Sequence, residues 1–312
     1  MKRIDADERG ILDITWSPDN RWVAYVRGAG EVCLANVESG EIRVVGPGGS
    51  PGITPDNSVV LERDDEILLV TAAGTRPLVA RGDIVKGTPK RAPQLSPDGS
   101  RVLFVVCNVF DKESQSRNAY PYRHFLGLAD TATGRTRLTG EQWYGGSASW
   151  FPDGEALTHH EFDSTGGARV HVLAAGSGEL LGVMFGLFPS VSPDGRRIAC
   201  KPRGGGNIVV YTSRDGEWGE DAVDVAVFKL LESDGRVSAT APLWLDTRLV
   251  LVDEGGKLMR VDTRKEKSEE LKRIPAPVRR GRHTMALSPS RELLALEHFV
   301  EGGFELVVTP LA

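Results

Sequence analysis

The run His159-His160-Glu161-Phe162-Asp163 packs more potential metal ligands and proton carriers together than any other stretch of the chain. Its surroundings, Ala156-Leu157-Thr158, give it the look of a β-strand, on which adjacent side chains point to opposite faces. The two histidines therefore cannot share one ion. His159 and Glu161 can share a face, but two ligands fall short of a metal centre. His124, His171, His283 and His298 are dispersed along the chain, and of these His283, beside Arg282, is the one to test first. Gly48-Gly49-Ser50-Pro51-Gly52 fits the G-x-S-x-G pattern of a nucleophile elbow, yet it contains a proline and leads into a strand rather than a helix. Gly204-Gly205-Gly206 lacks the lysine and hydroxyl of a phosphate cradle, and no dinucleotide fingerprint is present. Cys33, Cys107 and Cys200 each lie in apolar strand-like runs, as small buried hydrophobes do. These residues predict no catalytic set, no metal site and no cofactor, and they incline the chain towards binding rather than catalysis.

The elements that position these residues come from a repeat. One phrase recurs as Trp16-Ser17-Pro18-Asp19-Asn20, Ile53-Thr54-Pro55-Asp56-Asn57, Leu95-Ser96-Pro97-Asp98-Gly99, Trp150-Phe151-Pro152-Asp153-Gly154 and Val191-Ser192-Pro193-Asp194-Gly195. Trp244-Leu245-Asp246-Thr247 and Leu287-Ser288-Pro289-Ser290-Arg291 are degenerate copies. The mean interval is about 45 residues, a length suited to a four-stranded unit. Proline pre-sets φ at one corner of a turn, aspartate bonds its own downstream backbone, and Gly or Asn accepts a positive φ. Strands apolar on both faces follow, such as Trp22-Val23-Ala24-Tyr25-Val26 and Val102-Leu103-Phe104-Val105-Val106, as expected for a sheet sandwiched between two others. Lys2-Arg3-Ile4-Asp5-Ala6 precedes the first unit, and the last unit lacks an outer strand. The expected fold is thus a single all-β domain over residues 1–312, a seven-bladed β-propeller whose N-terminal strand completes the last blade. Six blades is the alternative. Glu266–Leu271 reads as a loop or an outer strand.

The Ser-Pro-Asp-Gly phrase, followed by a basic residue and then Ile or Val, resembles the TolB-like (PD40, WD40-like) class of propeller repeat. It is also similar to the propeller of prolyl oligopeptidases. The resemblance covers almost the whole chain and implies architecture, not activity. No hydrolase domain accompanies the repeats here, so the oligopeptidase activity is not expected. Pectin-degrading lyases with propeller folds hold a metal among several histidines, a pattern not visible in this sequence.

In this type of blade the strand before the Pro-Asp turn lines the central channel. Those segments are small and mildly polar, so the channel is expected to be chemically empty. The face opposite the turns gathers the long connection from about Asn108 to Arg123, where two to five residues would suffice. It carries Phe110, Tyr120, Tyr122 and Arg123, and neighbouring loops add Lys86, Lys90, Arg91, Trp143, Tyr144, Phe185, Phe188, Arg203, Arg280, Arg282 and His283. Aromatic residues and Arg are the types enriched at binding hot spots. A protein or peptide partner on this face is therefore the first reading. A small-molecule lyase or hydrolase working at the channel mouth with His283, Arg282 and Arg123 is the second. The net charge of −5 favours no particular partner, and the basic residues Arg279, Arg280 and Arg282 with Lys90 and Arg91 form only isolated patches, so nucleic acid is not the expected partner. No apolar run approaches the ~20 residues of a membrane span, and no secretory leader is evident, so the expected address is the cytoplasm.

Overall fold

The computed structural model describes residues 1–84, 90–110, 122–143, 148–162, 167–202, 207–218, 223–229, 241–254, 257–271 and 284–311. Of residues 90–91, 107–110, 122–124, 139–143, 162, 229 and 253–254 it describes the backbone. The fold is all-β, a seven-bladed propeller of four-stranded antiparallel blades. The chain divides into two compact units, residues 1–143 with 283–312, and residues 144–282.

The first unit holds four blades. The N-terminal strand β1 (Lys2–Asp7) belongs to the last of them. Blade 1 is β2 (Ile11–Trp16), β3 (Trp22–Arg27), β4 (Glu31–Asn36) and β5 (Ile42–Pro47). Blade 2 is β6 (Gly49–Ile53), β7 (Val59–Arg63), β8 (Glu66–Thr71) and β9 (Gly74–Val79). Blade 3 is β10 (Lys90–Leu95), β11 (Arg101–Phe110), β12 (Tyr122–Asp130) and β13 (Thr136–Trp143). The second unit holds blade 4, with β14 (Ala148–Trp150), β15 (Ala156–Phe162), β16 (Ala168–Ala174) and β17 (Leu180–Phe185). It continues with blade 5, β18 (Leu187–Val191), β19 (Arg197–Lys201), β20 (Asn207–Ser213) and β21 (Val223–Lys229). Blade 6 is β22 (Leu243–Trp244), β23 (Leu249–Glu254), β24 (Lys257–Asp262) and β25 (Lys267–Glu270). Blade 7, back in the first unit, is β26 (Met285–Leu287), β27 (Leu293–Val300) and β28 (Gly303–Pro310), with β1 paired to β28 as its outer strand.

The expected closure by Lys2–Ala6 is thus observed, and both degenerate repeats head real blades, which excludes six. The segment near 266–271 is outer strand β25.

Two-sided burial explains the doubly apolar strands. In β3, Val23 and Tyr25 join Ile4, Leu306 and Val308 of blade 7. The alternate residues, Ala24 and Val26, join Ile53, Val59 and Leu61 of blade 2. Blade 2 packs in turn on blade 3 through Val60, Leu69, Val102 and Phe104. In the second unit, Val170 and Met184 meet Ile198 and Tyr211, and Ala199 and Phe228 meet Val250 and Val261. The tryptophan that opens the repeat phrase adds a directional tie. The Trp16 indole donates to the Ala286 carbonyl (2.9 Å), and the Trp244 indole donates to the Ser190 carbonyl (2.9 Å). Both acceptors lie on the first strand of the preceding blade.

The turns are built as the sequence chemistry requires. Ser96 and Ser100 hydroxyls both donate to Asp98 (2.6 and 2.7 Å), and the Arg101 amide donates to Ser96 Oγ (2.9 Å). Those bonds, the Ser96 hydroxyl foremost, hold the Asp98 carboxyl down to about 2. Asn20, Asn57, Gly99, Gly154, Gly195 and Arg291 all occupy positive φ, from 62° to 73°. Gly99 is required twice over, because a Cβ there would also overlap Pro55 of blade 2. In the degenerate copies Asp246 accepts from the amides of Arg248 and Leu249, while Ser290 bonds Ser288 in place of the lost aspartate (3.1 Å).

A second recurring device was not legible in the sequence. The first strands of blades 1, 2, 3 and 5 carry a bulge, with Asp13, Ser50, Ala92 and Phe188 at φ of 46–53°. Non-glycine residues hold such a φ at a cost of about 1–3 kcal/mol each. In three of the four cases the preceding blade binds the displaced amide. Ser50 donates to Asp13 Oδ2 (3.2 Å), Ala92 to Glu62 Oε2 (2.6 Å) and Phe188 to His160 Nδ1 (3.3 Å). The G-x-S-x-G pattern around Ser50 is therefore a strand bulge, not a nucleophile elbow.

Candidate functional site

Blade 3 is longer than its neighbours in the first unit. Its second and third strands run to ten and nine residues. No other second or third strand exceeds eight among the described residues. The β11–β12 ladder extends from Arg101 opposite Asp130 to Phe110 opposite Tyr122, with one irregularity between Val106 and Val109. β13 follows it outwards, pairing Gln142 with Phe125 and Trp143 with His124.

This corrects the expected loop at both ends. Residues 108–110 and 122–123 are strand, and Trp143 ends a strand rather than sitting in a loop. Val109, Phe110 and Tyr122 are residue types that fit a pleated surface, a signal outweighed in the sequence by the polar residues between them.

The ladder brings Phe110, Tyr122, Arg123 and Trp143 onto one blade, with Arg123 opposite Val109. Their side chains lie outside the description. Tyr120, Tyr144, Arg203, Arg280, Arg282 and His283 lie outside the described residues, as do Lys86 and the glycines at 204–206. Phe188 does not belong with a loop face. Its ring packs edge-on against His160 (centroids 4.9 Å apart), where blade 4 meets blade 5. Phe185 is 66% exposed.

The histidines of β15 separate as expected. His160 serves the bulge at Phe188, whereas His159 turns to the other face of the sheet. There it stands opposite His171 of β16, with ring centroids 5.3 Å apart. His171 Nε2 lies 3.1 Å from Glu161 Oε1. His171 is thus not a dispersed residue. The antiparallel register carries it to His159, and only knowledge of the β15–β16 pairing could have found it. Among the described residues, no group of three or more His, Cys, Asp or Glu side chains is placed to hold a metal ion.

Burial drives His159 down to about 3, with repulsion from His171 adding to the effect. The unfolded chain takes up a proton near the ordinary value of 6.5, while folded His159 stays neutral. Stability that is complete above pH 6.5 is therefore lost progressively as pH falls towards 3. Denaturant midpoints measured between pH 7 and pH 4 should fall less steeply in His159→Asn than in the parent. Parallel curves would show that His159 does not carry the effect.

Cys33 and Cys200 are both buried. Burial pushes the Cys33 thiol up to about 11 and the Cys200 thiol up to about 12.

No family model matches the chain, and no curated protein matches it by sequence. Solved structures do match by fold. An oligogalacturonate lyase in complex with manganese superposes with a TM-score of 0.70 at 11% identity, covering 99% of this chain and 92% of its own. The β-propeller domain of Cps50 (Swd1) from Myceliophteria thermophila superposes with a TM-score of 0.66 at 10% identity, over 100% of both chains. TolB from Acinetobacter baumannii is 18% identical over 88% of this chain and 64% of its own, with a TM-score of 0.49. At these identities the likeness is one of fold, and propellers of this shape serve unrelated functions. Of what the repeat resemblance implied, the propeller architecture is observed, and no family model or curated sequence adds a TolB-like family to it.

Proposed function

We propose that the protein is a non-catalytic binding scaffold that docks a protein or peptide on the projecting strands of blade 3. The observation that carries this reading is the continuation of β11 and β12 to ten and nine residues, past the length of every other described strand. A connection of two to five residues would close the hairpin, so the extra ladder is not needed to complete the blade. Long connections that a fold does not need are commonly functional. Aromatic and Arg residues supply large contact area and bidentate hydrogen bonding at interfaces, and Phe110, Tyr122, Arg123 and Trp143 fall on this ladder.

The test replaces residues 109–122 with Asn-Gly, which closes β11 on β12 at ordinary length. Partners are compared by crosslinking and mass spectrometry, with the fold checked by circular dichroism. Capture of the principal partner is expected to fall at least about tenfold, the loss of one hot-spot residue's worth of affinity or more. An unchanged crosslinking pattern in a folded variant removes blade 3 as the docking site.

A further inference from the structure

The outer strands of the blades differ in how they are protected. An unpaired strand edge is a template for pairing with another chain, and proteins blunt it with bulges, charges or proline. The outer strands β1, β5, β9, β13 and β17 are each bulged or irregular against their neighbours, and β5 and β9 also carry Pro47 and Pro77. β25 is regular but short and charged, reading Lys267-Ser268-Glu269-Glu270. β21 has neither a bulge nor a proline, its charges Asp224 and Lys229 flank an uncharged middle, and among the described residues no strand pairs its outer edge. It pairs with β20 over seven consecutive residues, Val223 to Lys229, without a break in register. Its middle is Val225-Ala226-Val227-Phe228, and Val225 and Val227 are 57% and 61% exposed on the same face. Tyr211, opposite Val225, donates its hydroxyl to the carbonyl of the exposed Phe185 (2.8 Å).

We propose that β21 is a self-association edge, pairing antiparallel with β21 of a second copy of this chain. Val225-Ala226-Val227 reads the same in both directions, which suits a second copy of the strand as the occupant, and symmetry restricts the register. A two-fold axis normal to the sheet keeps each residue on its own face, so a residue can only oppose one of equal parity. The register centred on Ala226 satisfies this and pairs all seven residues. It sets Val225 opposite Val227 of the second copy, twice, and Ala226 opposite Ala226. Asp224 falls opposite Phe228 and Val223 opposite Lys229, so no like charges face one another. The four valines form a cross-strand aliphatic ladder, a stabilising arrangement on an antiparallel pair. A single edge is small beside the ~1,600 Å² of a standard interface, so the dimer is weak and concentration-dependent. This surface lies in the second unit and is independent of blade 3.

Sedimentation velocity of the full chain from micromolar to several hundred micromolar tests the proposal. The parent is expected to shift from monomer to dimer with concentration. Val225→Lys/Val227→Lys places lysines opposite one another across the two-fold and should raise the dimer dissociation constant at least about tenfold. Val44→Lys, an exposed valine on the irregular strand β5, should leave the dimer unchanged. Amides of β21 should gain hydrogen-exchange protection in the dimer. A parent that stays monomeric overturns the proposal. So does a dimer that survives the double lysine variant, since its copies then meet elsewhere. Exchange protection of β21 that appears only with another protein present would assign the edge to that protein and likewise overturn self-pairing.

Discussion

A chain lacking residues 1–7 is expected to fail to fold, or to be recovered only as aggregate. These residues form β1, which supplies the outer strand of blade 7 and pairs with β28 from Lys2–Val308 to Asp7–Phe304. Ile4 is buried between blade 7 and blade 1, and removing it exposes surface worth about 1.5–3 kcal/mol. Asp5 reaches into blade 1, accepting from the Tyr25 hydroxyl (2.5 Å) and from Arg27 Nε (2.9 Å). Tyr25 is fully buried, and a buried hydroxyl stripped of its partner costs about 1–3 kcal/mol. Lys2 Nζ adds donors to the carbonyls of Val37 and Glu38.

Together these losses approach about 5 kcal/mol, comparable with the whole margin of about 5–15 kcal/mol that small folds possess. They also leave β28 as an open edge. Asp5→Ala isolates the latch from the strand. It should lower the unfolding free energy by about 2 kcal/mol, and Tyr25→Phe in that background should recover part of it, because no hydroxyl remains to be satisfied. Equal stability of Asp5→Ala and its parent in urea would show that the latch contributes nothing.

Gly127→Ala should cost about 3 kcal/mol, the upper part of the range for overpacking a filled core. Phe104 and Gly127 stand opposite each other on β11 and β12, and the Phe104 ring covers the glycine. A Cβ at 127 would overlap that ring. Phe104 is fully buried with Val60, Leu69 and Val102 around it, so the ring has nowhere to move. The pair is therefore coupled. Phe104→Leu on its own leaves a void, whereas the same change beside Gly127→Ala should restore at least about 1 kcal/mol relative to Gly127→Ala alone. Additive effects in that double-mutant cycle would mean that the two residues do not share the space. The same substitution carries information on function, because Phe104 and Gly127 stand at the base of the blade whose far end is the proposed docking site. A folded Gly127→Ala protein that keeps its partner would place recognition beyond the core of blade 3.

The seven units were legible because their signal is contiguous. Proline fixes one φ, aspartate caps the amide two residues on, and Gly or Asn accepts the positive φ, all within five residues. Closure by the N-terminal strand was legible for a similar reason, since a four-strand unit one strand short implies where the missing strand comes from. The degenerate phrases at Trp244 and Ser288 needed the tertiary structure. There the turn survives on different atoms, Asp246 bonding two amides and Ser290 standing in for aspartate.

Everything that depends on register or on a neighbouring blade was likewise decided in three dimensions. Glu62 and His160 bind bulge amides about thirty residues downstream, and His171 reaches His159 only through the β15–β16 pairing. The regular pairing of β21 over seven residues is set apart by the irregularities of β1, β5, β9, β13 and β17 and by the shortness of β25. These contacts join residues that no local pattern connects, and a one-residue slip of any strand would turn each of them to the opposite face.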